Sequence, residues 1–249
     1  MTYCLAIALE EGLIFCSDSR TNAGPDQVTS YSKMHRFSFQ GERKLFLLTA
    51  GNLATTQAVI TQLHRDIEEN LQPLIRTSNY VGDIADYIGS LMVLEKNKYT
   101  DPSGPDAGID AGATFILGGQ IKGHQPELYL IYPEGNHITA SQTHPYLQIG
   151  EVKYGKPILD RIIQPDTPME TALRCAIVSL DSTMRSNSTV GPPLECLAYK
   201  KDNLSSEENY AKLSENDDYL VAIRESWEKN IREAVEDLPN FETYFSNNR

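Results

Sequence analysis

Thr2 follows Met1 in the sequence and can become a nucleophile that carries its own base. Thr is small enough for methionine aminopeptidase to remove Met1, and Thr2 then has a free α-amine. An α-amine has an ordinary pKa of about 7.7–8.0, so part of it is neutral near pH 7 and can accept the hydroxyl proton. The pattern indicates an N-terminal threonine nucleophile, although many proteins begin with Met-Thr and the dipeptide alone identifies none.

Asp18 and Lys33 lie at the ends of predicted strands near the start of the chain. Asp18 stands in Ser17-Asp18-Ser19-Arg20, where the return strand of the first predicted hairpin ends. If Asp18 holds the Lys33 ammonium, a positive charge lies beside the Thr2 amine, which lowers the amine pKa and favours the alkoxide. Taken alone, Asp18 also suits a turn or a cap, and Lys33 suits a solvated surface position.

A third candidate, Gly51, lies in Thr49-Ala50-Gly51-Asn52, where a predicted strand runs into a helix. A glycine lets the backbone approach a ligand closely, and its N–H lies near a helix N-terminus, where negative charge is stabilised. Gly51 is therefore a candidate oxyanion-hole donor. The simpler interpretation is a glycine that makes the strand-to-helix turn.

The elements that must position these residues begin with a hairpin. Apolar runs at 3–9 and 13–16 are separated by Glu10-Glu11-Gly12, which predicts two strands joined by a tight turn. After a polar loop, alternating residues at 33–39 and an apolar run at 44–49 predict a second pair of strands.

The rest of the chain alternates between helical and strand periods. Helices are predicted at about 53–71, 80–96 and 154–163, followed by one in which Thr167 is the N-cap, Pro168 is N1 and Glu170 is N3. Strands are predicted at 113–117, 127–132, 137–141, 146–149 and 194–200, with Gly118-Gly119 as a turn. A polar linker at 202–217 then leads to a C-terminal helix at about 218–238, on which Tyr219 and Trp227 pack in the core or between subunits.

This order of elements predicts the fold class. Hairpin-joined strands come in blocks that are interrupted by pairs of helices, whereas a doubly wound parallel sheet alternates strand and helix one by one. We therefore expect an α+β protein with two antiparallel sheets covered by helices, in which residues 1–249 form a single domain.

Composition excludes several classes of function. The 249 residues carry 22 Lys+Arg against 34 Asp+Glu, and this net charge of −12 repels a nucleic-acid backbone. No apolar stretch approaches the roughly 20 residues that span a bilayer, and no basic signal-peptide region opens the sequence. We expect a cytoplasmic protein with no nucleic-acid or membrane partner.

The cysteines, histidines and loop aspartates do not show the spacing of a metal site. Cys4, Cys16, Cys175 and Cys196 lie in apolar runs without CxxC spacing, which indicates buried thiols. The five histidines form no ligand-spaced set, and Asp101, Asp106 and Asp110 lie in a loop whose spacing does not match an EF-hand. We expect no metal.

Five segments spread over most of the chain form a joint pattern. They are TYCLAIALEEGLIFCSDSRTNAG at 2–24, Lys33 in SKMHRF, Thr49-Ala50-Gly51-Asn52, IGEVKYGKPILDR at 149–161 and SNSTVGPP at 186–193. Together they resemble the proteasome β-subunit branch of the N-terminal-nucleophile hydrolases, and within it the Anbu family of bacterial proteasome homologues. The resemblance implies a four-layer αββα sandwich, which agrees with the predicted order of elements.

The same resemblance implies roles for individual residues. Thr2 is the nucleophile and its amine the base, Asp18 and Lys33 are the supporting pair with Arg20 next to them, and Gly51 supplies the oxyanion N–H. The resemblance further implies a peptide or amide substrate, an open ring or helical homo-oligomer, and no metal or organic cofactor.

Two turns depart from the pattern of the proteolytic β-subunits. Those subunits carry Gly-Ser-Gly before the third helix, where this sequence has Glu151 at the Ser place. They carry Arg-Asp-x-x-Ser-Gly after the fourth helix, where Ser186 replaces the Asp and Thr189 replaces the Ser. We treat all three as supporting residues, and Glu151 is either the partner of the amine or a solvated turn carboxylate.

The predicted function is hydrolysis of amide or peptide bonds through an acyl-enzyme on Thr2 after removal of Met1. The alternative, from another class, is a non-catalytic proteasome-like scaffold or peptide-binding ring subunit. The set of Thr2, Asp18 and Lys33 favours the hydrolase, and the altered turns at 150–152 and 186–191 favour the scaffold.

Overall fold

The protein's structure, a computed structural model, describes residues 1–22, 28–69, 74–98, 110–205, 207–241 and 244. Within these residues, two five-stranded antiparallel sheets face each other and helices cover both outer faces. The predicted α+β class and the four-layer αββα sandwich are confirmed. The predicted end of the first helix at 70–73 and the loop residues Asp101 and Asp106 lie outside the described residues.

The first sheet contains the start of the chain. From edge to edge its strands are β10 (Tyr146–Gly150), β1 (Tyr3–Leu9), β2 (Gly12–Ser17), β11 (Leu194–Lys200) and β12 (Asn209–Leu213). β1 and β2 form the predicted hairpin, with Leu9 opposite Gly12 at the turn.

The second sheet contains the strand that follows Lys33. Its strands are β5 (Met34–Phe39), β6 (Arg43–Gly51), β7 (Ala113–Ile121), β8 (Glu127–Ile131) and β9 (His137–Thr139). A separate two-stranded ribbon connects the sheets and consists of β3 (Arg20–Asn22) and β4 (Val28–Ser30).

Six helices complete the described part of the chain. They are α1 (Leu53–Glu68), α2 (Leu74–Thr77), α3 (Val81–Asn97), α4 (Lys156–Ile162), α5 (Met169–Ser186) and α6 (Asp218–Glu236). The first three pack on the second sheet, α4 and α5 pack on the first sheet, and α6 packs on α5. None of the described helices is long and apolar enough to cross a membrane.

Alternating side chains explain why the sandwich has three apolar layers. In β1, Tyr3, Leu5 and Ile7 pack under the helices, whereas Cys4 and Ala6 enter the core between the sheets. Successive strand residues point to opposite faces, so a strand covered on both faces becomes a continuous apolar run. All four cysteines are buried free thiols, as predicted.

The predicted turn at Gly118-Gly119 is wrong, because both residues lie inside β7. They are glycines because their neighbours leave no space for a side chain. A Cβ on Gly119 would lie 2.1 Å from the Lys44 carbonyl oxygen of the adjacent strand, and one on Gly118 would lie 2.3 Å from Leu128 Cδ2. The strand therefore ends later, before a turn at Gly123, where φ is +85°.

The predicted N-cap of α5 is also wrong. The helix begins at Met169, one residue after Pro168, and has no side-chain cap. The Thr167 hydroxyl accepts a hydrogen bond from the Gln164 amide at 2.9 Å and donates to the Ile162 carbonyl at 3.3 Å. It therefore stabilises the loop before the helix rather than the helix itself.

Four short elements were not predicted: the strands β3 and β4 in the polar loop, the strand β12 and the helix α2. The polar linker at 202–217 contains β12, whose residues are mostly exposed because it is the edge strand of the first sheet. An edge strand has a partner on one side only and can contain few apolar residues. In β12 only Leu213, which pairs with Leu194, is buried, so the strand shows little hydrophobic alternation in the sequence. The four-residue α2 is too short for a helical period to show.

Replacement of Gly119 by alanine tests the close approach of β7 to β6. We expect Gly119→Ala to lower the free energy of unfolding by about 2–3 kcal/mol, since the new methyl meets backbone that cannot move away. Gly82→Ala in α3 is the control, because its Cβ would meet a side chain rather than backbone, with the Tyr129 hydroxyl nearest at 3.2 Å. It should stay within about 0.5 kcal/mol of the parent, since helix propensity offsets the tight contact. Equal urea midpoints for the two variants would contradict this explanation.

Candidate active site

Thr2 lies at the start of β1, next to the end of β10. Its carbonyl oxygen accepts a hydrogen bond from the Glu151 amide at 2.7 Å. A Cβ on Gly150 would lie 1.9 Å from the same oxygen, and Gly150 has a φ of +83°, a region that glycine adopts without strain. Gly150 therefore allows the two strands to meet at the proposed nucleophile.

Asp18 is fully buried beneath this strand end and accepts three hydrogen bonds. Its Oδ1 receives the Lys33 Nζ at 2.6 Å and the Tyr3 amide at 3.0 Å, and its Oδ2 receives the Gly191 amide at 3.1 Å. Burial raises the pKa of the Asp18 carboxyl above its ordinary value, and the Lys33 ammonium and the two amides act against that rise.

Lys33 binds the Asp18 carboxylate and also lines the cleft that is described below. The ammonium is buried and also donates to the Arg20 carbonyl oxygen at 2.8 Å. The structure thus brings Asp18 and Lys33 into direct contact next to Tyr3, as the sequence suggested, and Lys33 is not a solvated surface residue.

Gly51 ends β6 at the point where α1 begins. Its φ is +105°, and a Cβ there would lie 2.6 Å from the Gly112 carbonyl oxygen, so the position requires glycine. The Asn52 side chain caps α1 by accepting the amides of Ala54 and Thr55 at 3.0 and 3.2 Å. This local geometry suits a strand-to-helix turn and also directs the Gly51 backbone at a cleft.

That cleft has a volume of about 760 Å³, and its walls include Thr2, Arg20, Lys33 and Gly51. His35 lines it as well, and burial lowers the pKa of its imidazole to about 4, with His64 acting in the same direction. The His35 side chain is therefore neutral near pH 7. No Asp or Glu is among the described residues that line the cleft.

The turn after α5 contacts Ser19 and Arg20, and Arg20 lines the cleft. Arg20 Nη1 donates to the Ser188 carbonyl oxygen at 2.8 Å, and the Gly191 carbonyl accepts the amides of Ser19 and Arg20. A Cβ on Gly191 would lie 2.3 Å from the Arg20 guanidinium carbon. Arg20 therefore holds this turn in place.

Of the residues in the two altered turns, two interact and one does not. Glu151 is only 7% exposed and accepts from Asn187 Nδ2 at 2.9 Å, so it is not a solvated turn carboxylate. Thr189 donates to the Asn187 side chain through both its amide and its hydroxyl. Ser186 is the last residue of α5 and is exposed.

Two residues of this arrangement, Asn187 and Gly191, were not predicted from the sequence. The local spacing Asn187-Ser188-Thr189 is typical of an Asx turn and is the signal that could have identified Asn187. Gly191 has no such signal, because its contact with Asp18 depends on chain segments 173 positions apart.

Of the three loop aspartates considered as metal ligands, the structure describes only Asp110. Asp110 is exposed and accepts the Gly112 amide at 2.9 Å. Over the described ranges, no three His, Cys, Asp or Glu side chains are grouped so that they could hold a metal ion.

Solved structures of Anbu, an ancestral β-subunit, are similar to this chain over nearly its whole length. Anbu from Yersinia bercovieri has a TM-score of 0.88 and 41% identity, covering 96% of this chain and 98% of that one. The helical assembly of the Anbu complex from Pseudomonas aeruginosa has a TM-score of 0.85 and 44% identity, covering 96% and 98%. The Gly-1 mutant of Anbu from Hyphomicrobium sp. strain MC1 has a TM-score of 0.88 and 37% identity, covering 97% and 99%. No protein-family model and no curated protein matches the chain.

The ion pair of Asp18 and Lys33 gives a direct test of the site's electrostatics. We expect Lys33→Met to lower the free energy of unfolding by about 3–5 kcal/mol, because it leaves the buried carboxylate without its cation. Lys98→Met is the matched control, since Lys98 is also 2.6 Å from a carboxylate, that of Glu95, but its side chain is 59% exposed. It should cost less than about 1 kcal/mol. Similar losses in chemical denaturation would show that burial does not set the difference.

Proposed function

Because the chain belongs to the Anbu family of proteasome-related β-subunits, we propose that it is an N-terminal threonine hydrolase that cleaves amide or peptide bonds. The observation that carries the proposal is the position of Thr2 in the wall of a cleft, with the Lys33 ammonium and the Gly51 backbone in the same wall. The buried contact between Lys33 and Asp18 supports the proposal because it fixes a positive charge near the nucleophile.

The proposed reaction begins when Met1 is removed and the Thr2 nitrogen becomes a free amine. The amine accepts the proton of the Thr2 hydroxyl as Oγ1 attacks the substrate carbonyl carbon. The Gly51 N–H stabilises the oxyanion, and the protonated amine gives its proton to the leaving nitrogen as the C–N bond breaks. Water, deprotonated by the amine, then attacks the ester, and the acyl group leaves as a carboxylic acid while Oγ1 regains its proton.

In this mechanism the amine supplies the base, so no metal or organic cofactor takes part. Lys33 favours the alkoxide of Thr2 through its charge, and Asp18 keeps that charge in place. We further propose that residues 1–249 form one domain. The cytoplasmic location stays a prediction. The absence of a nucleic-acid partner is also a prediction, and the net charge of −12 supports it.

A second candidate is a peptide-binding scaffold that turns nothing over. One observation favours it: the turns at 150–152 and 186–191 depart from the pattern of the proteolytic β-subunits at Glu151, Ser186 and Thr189. With Met1 attached, the Thr2 nitrogen is an amide and has no lone pair for the hydroxyl proton, so a chain that keeps Met1 can bind a peptide but cannot use this mechanism.

Intact mass and a covalent probe separate the two candidates. We expect native protein from its source cells to lack Met1 and to gain one adduct per chain with a β-lactone. Thr2→Ala should give no adduct, because it lacks the attacking oxygen, and Thr2→Ser should still be labelled. Retention of Met1, or equal labelling of Thr2→Ala, would contradict the hydrolase.

We also propose that the chain forms homo-oligomers, an open ring or a helix, through the second half of α6. The Pseudomonas aeruginosa relative forms a helical assembly, and in this chain Ile231, Val235 and Leu238 are 46%, 62% and 65% exposed. Ile231 and Val235 lie one turn apart on the same face of α6, and Leu238 follows just after the helix ends at Glu236. An exposed apolar stripe of this kind is typical of a contact surface. Trp227 lies on the same stripe and is half-buried.

Charge substitution on the stripe tests this contact. We expect the double variant Ile231→Asp, Val235→Asp to shift the mass measured by light scattering towards the monomer, because two carboxylates would lose hydration in the contact. Ala222→Asp is the control, since it adds a charge at an exposed position on the opposite face of α6. An unchanged mass for the double variant would exclude α6 as the contact.

A further inference from the structure

The turn after α5 contains a side-chain amide whose orientation is fixed. Asn187 Oδ1 accepts the Thr189 amide at 3.0 Å and the Thr189 hydroxyl at 2.6 Å. The Thr189 backbone amide can only donate, so the Asn187 atom that faces it is the oxygen and the amide NH2 must point the other way. There its nitrogen lies 2.9 Å from Glu151 Oε2 and donates to it.

Glu151 is held next to the start of β1 by its backbone and by its side chain. Its amide donates to the Thr2 carbonyl at 2.7 Å, so the residue lies beside the proposed nucleophile. Its carboxylate is buried, and the second oxygen, Oε1, is 3.4 Å from the ammonium of Lys153, whose side chain is 67% exposed. A buried carboxylate needs such donors, and the half-buried Asn187 supplies a less exposed one than Lys153.

This turn connects two carboxylates that flank the same strand end. Through Gly191 the turn donates to the Asp18 carboxylate, which accepts the Tyr3 amide. Through Asn187 it donates to the carboxylate of Glu151, whose backbone amide donates to the Thr2 carbonyl. The first carboxylate is paired with a buried ammonium, whereas the second is paired with a neutral amide and an exposed lysine. Glu151 therefore keeps more of its negative charge unbalanced inside the protein.

We infer that Asn187 is a positioning residue: it fixes the Glu151 carboxylate beside the start of β1, where the carboxylate stabilises the ammonium that forms when the Thr2 amine takes the hydroxyl proton. The inference rests on the proposed function. It assigns opposite electrostatic effects to two groups, because Lys33 disfavours the charged amine and Glu151 favours it. An amine held between them keeps its pKa near the working pH, as a general base requires.

The test measures the titration of the Thr2 amine itself. The chain is released from an N-terminal fusion by a protease that cuts directly before Thr2, so the amine is present whether or not Met1 is removed in cells. The rate of acetylation of the N-terminal peptide by acetic anhydride, followed by mass spectrometry against pH, gives the amine pKa.

We expect Glu151→Gln to lower the amine pKa by about 1, since it removes a nearby negative charge. Asn187→Leu should lower the amine pKa by about half as much or more, because the released carboxylate turns towards Lys153 and solvent. The double variant should match Glu151→Gln alone, since Asn187 acts through Glu151. Asn230→Leu makes the same substitution on the exposed half of α6 and should leave the amine pKa unchanged.

Two results would overturn the inference: an amine pKa that does not respond to Glu151→Gln, or single-variant effects that add in the double variant. If Asn187→Leu does not fold, Thr189→Val replaces it, because it removes one of the two donors that orient the Asn187 amide. A purely structural turn would change the thermal midpoint without moving the amine pKa. A chain whose amine responds as expected but takes no β-lactone adduct would retain the inference and refute the proposed hydrolase.

Discussion

The buried ion pair of Asp18 and Lys33 constrains the arrangement of the whole site. Neither charge can remain in the interior without partners, so each must find every donor or acceptor it needs in the protein. Asp18 follows β2 of the first sheet and Lys33 precedes β5 of the second, so the 2.6 Å contact joins the two sheets at one end of the sandwich. The remaining donors come from Tyr3 and Gly191, which brings the first strand and the turn after α5 to the same point.

Much of the fold could be predicted because strands covered on both faces produce long apolar runs. The hairpin of β1 and β2 and the bounds of β11 followed from this pattern directly. The pattern failed where side chains are small or exposed. Gly118 and Gly119 have no side chain because Leu128 and the β6 backbone of the same sheet leave no space for one. The edge strand β12 is paired along one edge only and has little apolar sequence. In both cases the cause is a tertiary contact that no local window of sequence contains.

The candidate site also has residues that the sequence pattern predicts and residues that depend on tertiary contacts. Thr2, Asp18, Lys33 and Gly51 lie at ends of strands, and strand ends at one edge of a sandwich meet, so their proximity follows from the order of elements. Asn187 was missed because its partner, Glu151, is 36 positions away and two helices, α4 and α5, lie between them. The burial of Glu151 depends on that contact, and for this reason the sequence left its environment open.

The hydrogen bonds around Gly150 have a consequence for trimming of the polypeptide. Chain ends usually fray, because their first residues lack partners on one side. Here the carbonyl of Thr2 is bound by the Glu151 amide, and the amide of Tyr3 is bound by Asp18, so neither contact involves Met1. Excision of the initiator residue would therefore leave a terminus that is already immobilised, and Thr2 would lose little conformational entropy in reaching the geometry of the proposed proton transfer and attack.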